Sequence, residues 1–351
     1  MKKLLAILLA LAMLFALAAC GSEKESAEQS AEETAQTYTI KLGYSTSGVT
    51  KEESPTVMWG AAFKEKVEEL TNGGITVEIY DGGQLGNDAD TTGAVSAGSV
   101  EMSVQATSVL ANYEPKIMAF DLAGVFGSAT DVLNMFNGEW VRANIFDSLE
   151  ESSDIRVLSG YCRGFRCFTS SLKELKTVDD IAGQTIRIMD NPMYKAIVES
   201  LSANPVAIAG GEMYTAMANK VVDGHENTVF SYYQDKTYEV QDYAVMDEHT
   251  ASVECGFMNA SFYNSLPEEY RAAIDEAAAY AAQQSESVRA SQTEIVTNKL
   301  IDLGMSIYVP TAEEYQAWHD AYRQASIDFL GEKVGQEFLD GFMGAFEKIA
   351  Q

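Results

Sequence analysis

The sequence predicts an α/β protein of two lobes, with a long helix that spans both. Three observations carry that prediction. Strand-like and helix-like periodicities alternate along the chain in two separate cycles, the pattern of sheets with helices packed on them. The 314 residues that follow residue 37 (351 minus 37) exceed what a single hydrophobic core comfortably holds. From Pro267 to Leu303, 37 residues rich in Ala, Glu and Gln run without an internal Gly or a further Pro. As one helix they would extend about 55 Å, longer than one small lobe.

The chain opens with Lys2 and Lys3, an unbroken apolar run from Leu4 to Ala19, and the small-residue site Leu17-Ala18-Ala19-Cys20-Gly21. This is the order of a secretory signal peptide, residues 1–19, and its apolar run is shorter than the ~20 residues a spanning helix needs. Leu-Ala-Ala-Cys resembles the lipobox of bacterial lipoproteins. That resemblance implies a lipid such as palmitate on Cys20, cleavage that leaves Cys20 as the first residue, and anchorage to the outer face of the cell membrane (the periplasm where an outer membrane exists). A plain signal peptide with a coincidental cysteine and an uncleaved anchor are the alternatives. Residues 21–37 contain only alanines as apolar residues, too little to offset chain entropy by burial, so 20–37 reads as a lipidated cysteine and a disordered tether.

The body begins with the strand Tyr38 to Gly43, in which Tyr38, Ile40 and Leu42 alternate to one face. Ser54 is placed to cap a helix with Pro55 in its first turn; Trp59, Phe63, Val67 and Leu70 recur at helical spacing, and Gly73-Gly74 ends it. Ile75, Val77 and Ile79 alternate as a strand; a short helix over about 88–97 leads to a strand at Val100 to Val104. After helical residues 130–150 the second cycle reads as strands Val157 to Tyr161 and Thr185 to Met189, helices Pro192 to Leu201 and Glu212 to Asn219, then Val221-Val222-Asp223-Gly224. Ser265 and Glu268 form a capping box for the long helix. The strand Met305 to Val309 ends at Pro310, and two helices close the chain. Lobe 1 is expected over 38–162 with about 252–292, and lobe 2 over 163–251 with about 293–351. A ligand in such an arrangement sits in the crevice outside the carboxyl ends of the strands.

Charge and motifs narrow the chemistry. The 24 basic and 52 acidic side chains give −28, which disfavours nucleic acid and adsorption to anionic lipid. Solubility alone accounts for such a balance. His225, His249 and His319 stand in no zinc-ligand spacing, and there is no nucleophile elbow, phosphate loop or dinucleotide fingerprint, so the reading is no enzyme, no metal and no cofactor. Cys162, Cys167 and Cys255 permit one disulfide or three buried thiols. Met213 and Met217 are core residues. Gly210-Gly211 is a turn before it is an anion site. His225-Glu226 reads as two polar residues at a cleft edge before it reads as a base and its partner. Arg187 is more informative, because it interrupts the apolar alternation of Ile186 and Ile188, where a buried charge is costly unless paired. It either forms an internal salt bridge or projects into the cleft to hold a carboxylate through two parallel hydrogen bonds.

Several ordered segments resemble the solute receptors of tripartite ATP-independent periplasmic (TRAP) transporters, the DctP-like family, over nearly all of residues 38–345. They are Thr71-Asn72-Gly73-Gly74 followed by a strand and Gln84-Leu85-Gly86; Gly164-Phe165-Arg166-Cys167-Phe168-Thr169; Asp180-Ile181-Ala182-Gly183-Gln184-Thr185-Ile186-Arg187-Ile188; Pro205, Glu212 and Tyr214; Val222-Asp223-Gly224-His225-Glu226-Asn227; and Leu266-Pro267-Glu268-Glu269. The resemblance implies a two-lobed periplasmic-binding-protein-like fold. It implies a monomeric receptor that closes on a small organic acid, of the sugar-acid or C4-dicarboxylate class, and delivers it to TRAP integral membrane subunits driven by an ion gradient. It further implies that Arg187 clamps the ligand carboxylate, that Arg166 lines the same cleft, and that Asn227, Asp190, Tyr44 and Gln105 contact the ligand. The sequence departs from the family in delaying the proline after the strand arginine to Pro192 and in placing Asp190 near the clamp, which favours a hydroxylated monocarboxylate over a dicarboxylate. A receptor of an ABC importer and a ligand sensor for a membrane kinase are the alternative readings.

Overall fold

The protein's structure, a computed structural model, describes residues 36–350. The expected signal peptide, Cys20 and most of the expected tether lie outside the described residues. Nine strands form one mixed sheet in the order β2-β1-β3-β8-β4-β7-β5-β6, with β9 paired to β8. In the first lobe β1 (Tyr38–Gly43) pairs in parallel with both β2 (Ile75–Tyr80) and β3 (Met102–Ala106). In the second, β5 (Thr185–Ile188) pairs in parallel with both β6 (Asn204–Ala207) and β7 (Gly224–Asn227).

Two long antiparallel strands, β4 (Ile155–Ser170) and β8 (Tyr243–Asn259), carry the sheet from one lobe to the other. One half of β8 pairs with β3 and the other with β9 (Ser306–Tyr308), while the end of β4 pairs with β7. Their shared register shifts at Val157/Ser159, Cys162/Gly164 and Arg166/Phe168. Each irregularity bends the ribbon and raises its local twist, so the two sheet halves need not share a plane. Sequence periodicity signals only the start of β4 and none of β8, because β8 is buried along nearly its whole length and shows no clean alternation.

The first-lobe helix α1 (Pro55–Leu70) is capped by Ser54, whose side chain accepts from the Val57 N–H, as its sequence predicts. Its Trp59, Phe63 and Val67 pack on Ile40, Leu42, Ile75 and Val77. α2 (Asp88–Ser96) follows β2 and is capped by Asn87. A helical run over 129–153, broken by a π-turn at Arg142–Phe146, lies before β4. In the second lobe α3 (Pro192–Ser200) follows β5, α4 (Gly210–Ala218) follows β6, and α5 (Val229–Gln234) follows β7. Met213 and Met217 are buried in a small cluster with Val222.

The long helix α6 (Glu268–Asp302) is continuous over 35 residues, about 52 Å at the α-helical rise, and packs against α1, β4 and α5, elements of both lobes. The helices α7 (Ala312–Val334) and α8 (Gln336–Ile349) complete the chain.

Three expectations need correction. Ser265 does not cap the long helix; its hydroxyl donates to the Phe262 carbonyl at 2.7 Å, inside the preceding helical turn. Leu266 before Pro267 is held extended, as residues before proline are, so the helix starts two residues too late for the box. β7 begins at Gly224, whereas Val221 sits 59% exposed in the turn before it. The inner strand is built instead from Gly224, His225, Glu226 and Asn227, all buried because the site needs their polar groups. β3 starts two residues later than expected, at Met102, a shift that leaves its facing unchanged.

Gly224 lies so close to β4 that a Cβ there would fall 2.0 Å from the Thr169 carbonyl oxygen. Gly224→Ala is therefore expected to cost about 1–3 kcal/mol in chemical denaturation, since backbone has to move to admit one methyl group.

Candidate ligand-binding site

Three arginines from the second-lobe strands and the ribbon converge where β4, β5 and β7 meet. Arg163 and Arg166 come from β4 at its second and third irregularities, respectively, and Arg187 from β5 beside His225 of β7. All three are largely withdrawn from water, so the partner of each decides its role.

Arg166 is fully engaged inside the protein. It forms a bidentate pair with Glu226, through Nε to Oε2 and Nη2 to Oε1 at 2.9 Å, and donates again to the Glu226 carbonyl at 2.9 Å. Its guanidinium lies over the Tyr194 ring, 5.0 Å from the centroid. Glu226 in turn faces His249 Nε2 at 3.5 Å, and His249 Nδ1 meets Asp247 at 2.9 Å. Burial alone would raise the Glu226 carboxyl, but Arg166 and His249 overrule it and hold it at about 2. Beside this chain Asp121 accepts from Ser108 (2.8 Å), Tyr194 (3.0 Å) and Asn191 (2.8 Å), and burial pushes its carboxyl up to about 6.

Arg163 is paired as well. It donates to Glu254 at 3.1 Å and to Gln234, at the end of α5, at 2.7 Å. Glu254 also accepts from Thr56 of α1 at 2.7 Å and from Tyr161. Gln234 reaches back to the Glu53 carbonyl at 3.4 Å, and Glu53 pairs with Lys299 of α6 at 3.2 Å. These contacts tie the loop between β1 and α1 to the second lobe.

Arg187 has no carboxylate partner among the described residues. It is 3% exposed, and its only hydrogen bond among the described residues runs from Nε to the Ile208 carbonyl at 2.8 Å. Burial pulls its pKa down to about 10; Glu226, Arg166, Asp235 and Asp88 are the charges around it. His225 is wholly buried beside it with neither ring nitrogen bonded, and burial, then Arg187, drives its pKa down to about 3, so it is neutral.

The remaining expected residues divide. Asn227 ends β7 next to Cys167 and Arg166; its Oδ1 accepts from the Thr228 N–H at 2.9 Å, and its side-chain N–H₂ group meets no acceptor among the described residues. Gln105 is bound within the first lobe, accepting from Thr92 at 3.0 Å and donating to Ser103 at 2.8 Å. Tyr44 packs its ring against Gly60 in the first-lobe core. Asp190 is exposed beyond β5. Cys162, Cys167 and Cys255 are free, buried thiols. Sequence reasoning missed Arg163 and Glu254. Among 52 acidic residues no single acid stands out, although two arginines three apart in one strand were a usable signal. A separate cavity of about 400 Å³, lined by Phe136, Arg142, Gly160 and Glu286 among others, lies elsewhere. Its charged groups are engaged: Arg142 donates to the Val157 carbonyl and Glu286 holds the Cys162 N–H and Arg289.

Comparison with known proteins bears on the family and the fold. Residues 46–331 match the sequence pattern of the bacterial extracellular solute-binding proteins, family 7 (DctP). The C4-dicarboxylate-binding protein DctB of Bacillus subtilis (strain 168) is 28% identical over 303 residues, 84% of this chain and 85% of that protein. Among solved structures, a TRAP periplasmic solute-binding protein from Ochrobactrum anthropi is 28% identical, covers 90% of this chain and 97% of its own, and superposes with a TM-score of 0.79. One from Desulfovibrio salexigens, with bound orotic acid, is 25% identical, covers 89% and 100%, and superposes with a TM-score of 0.83.

Glu226→Gln would take from buried Arg166 the carboxylate it pairs with and is expected to cost about 3–5 kcal/mol in urea denaturation at pH 7. Because the Glu226 carboxyl is held below its unfolded value, its contribution is complete above about pH 5 and is lost as pH falls toward 2. The gap between wild type and variant should therefore narrow over that acid range.

Proposed function

The chain belongs to the bacterial extracellular solute-binding proteins of family 7, and on that premise we propose that it captures an organic acid through Arg187 and delivers it to a TRAP-type transporter. A binding protein of this family needs no catalytic group. One observation carries the reading: Arg187 is a buried guanidinium whose terminal nitrogens have no protein acceptor among the described residues. Leaving such a group unpaired costs free energy, and a ligand carboxylate recovers it through two parallel, charge-assisted hydrogen bonds. Relatives of the chain, a C4-dicarboxylate-binding protein and a receptor with bound orotic acid, take acids of this kind. Asn227, adjacent on β7, offers its free amide to the same ligand.

In this proposal the lobes divide at 38–162 with about 252–292 and at 163–251 with about 293–351. The ligand contacts both and so favours the closed form. Arg166 acts by holding Glu226 and the end of β7 in place. The receptor works as a monomer. Among the described residues no helix is long and apolar enough to cross a membrane. The lipid on Cys20, added at the lipobox, would keep the receptor beside its membrane partner.

Two experiments test this. In a thermal-shift screen of organic acids, wild type should be stabilised by at least one acid, while Arg187→Ala should lose about 2–5 kcal/mol of binding, on the order of 30-fold or more in Kd; equal stabilisation of both removes Arg187 from the clamp. In cell fractionation, wild type should sediment with membranes and Cys20→Ser should be released, and equal partitioning would rule out the anchor.

A further inference from the structure

The contacts that join the loop between β1 and α1 to the second lobe meet at one residue, Glu53, and each side of that meeting is arranged within its own lobe. Glu53 stands one position before Ser54, the cap of α1. Its Oε2 accepts from the Thr50 N–H at 3.4 Å and the Thr50 hydroxyl at 3.3 Å, while its own N–H donates to the Thr50 carbonyl at 3.1 Å. The turn thus fixes the carboxylate through one oxygen. The other, Oε1, receives Lys299 of α6 at 3.2 Å.

On the opposite side Lys299 Nζ lies 5.0 Å from the centre of the Tyr233 ring, and the neighbouring Gln234 donates to the Glu53 carbonyl at 3.4 Å. Tyr233 and Gln234 end α5, whose Val229, Phe230 and Tyr232 share a buried cluster with Val296 and Leu300 of α6. Lys299 and Gln234 therefore move as one body. Gln234 is held in turn by Arg163 at 2.7 Å, and Arg163 by Glu254 at 3.1 Å. Arg163 sits at the Cys162/Gly164 irregularity of β4, so hydrogen bonds run without a gap from the bend in the ribbon to Glu53.

The Glu53 and Lys299 side chains are 32% and 38% exposed. A pair so exposed is weak and is screened by salt, unlike a buried pair, which costs several kcal/mol to break. Weakness suits a contact that has to open as well as close. A change in the closed population also scales the apparent affinity of any ligand that requires the closed form.

We infer that Glu53, Lys299 and Gln234 form a latch between the lobes, and that they are positioning residues which set the closed population, and through it the affinity, without touching the ligand. This rests on the two-lobe reading proposed above and not on Arg187.

The test needs no ligand. Spin labels at Glu65→Cys on α1 and Glu199→Cys on α3, both exposed positions, report the separation of the lobes by pulsed dipolar electron spin resonance in a Cys20→Ser background; Cys162, Cys167 and Cys255 are buried. Wild type should show a closed population. Glu53→Gln and Lys299→Met should each lower the ratio of closed to open by about two- to fivefold, the range of a partly exposed pair. Salt at about 0.5 M should lower it in wild type and leave the variants unmoved. The swap Glu53→Lys with Lys299→Glu should recover most of what Glu53→Lys alone loses, a rescue that a purely local role of Glu53 in its turn would not give. A ratio indifferent to the substitutions, a wild type without the closed population, or a swap without rescue overturns the latch and leaves two mobile lobes standing. One and the same single distance in every protein removes the lobe motion and the latch together.

Discussion

Withdrawing a guanidinium from water is tolerated only where something answers its charge, and the cleft of this protein is organised around that constraint. Arg166 is answered by Glu226 through two parallel hydrogen bonds, and Arg163 by Glu254. Arg187, held through Nε by the Ile208 carbonyl, is left unanswered. The paired arginines make the unpaired one possible. They fix the ends of β4 and β7 around it and occupy the acids that would otherwise neutralise it. His225, neutral and without a hydrogen bond beside Arg187, adds no compensating charge. The free energy withheld from folding at Arg187 is what a bound carboxylate can recover.

The same region is where the lobes are joined. β4 and β8 pass through both halves of the sheet, and of their register irregularities, at Val157/Ser159, Cys162/Gly164 and Arg166/Phe168, the last two fall at Arg163 and Arg166. A bend in this ribbon therefore moves the binding groups relative to one another. Contacts that run between the lobes, Gln234 to the Glu53 carbonyl and Glu53 to Lys299, involve groups next to Arg163 and its partners. In the proposed function, ligand capture and lobe closure would in this way be mechanically the same event, with α6 running past both lobes.

Much of this was legible in the chain. Clean alternation in Tyr38 to Gly43 and Ile75 to Tyr80, the Ser54-Pro55 punctuation, and the uninterrupted run after Pro267 each correspond to the element observed, because local sterics and one buried face are enough to specify them. Arg187 stood out because a charge broke an apolar pattern. β8 did not, because Asp247, His249 and Glu254 lie inside it as buried partners of distant residues, and a strand buried on both faces has no period to detect. Ser265 and Glu268 had the letters of a capping box, but Pro267 imposed an extended residue between them.

Residue types and spacing were thus enough for two α/β lobes and a buried arginine suited to a carboxylate, while the family came from the resemblance of several ordered segments to known receptors. They could not say which arginine would be left free. Arg163, Arg166 and Arg187 carry the same charge, and their partners come from residues 60 to 91 positions away, Glu226 for Arg166 and Glu254 for Arg163. Pairing over such distances depends on how β4, β7 and β8 register against each other. That register is a property of the folded chain, set by long-range packing that no local pattern encodes.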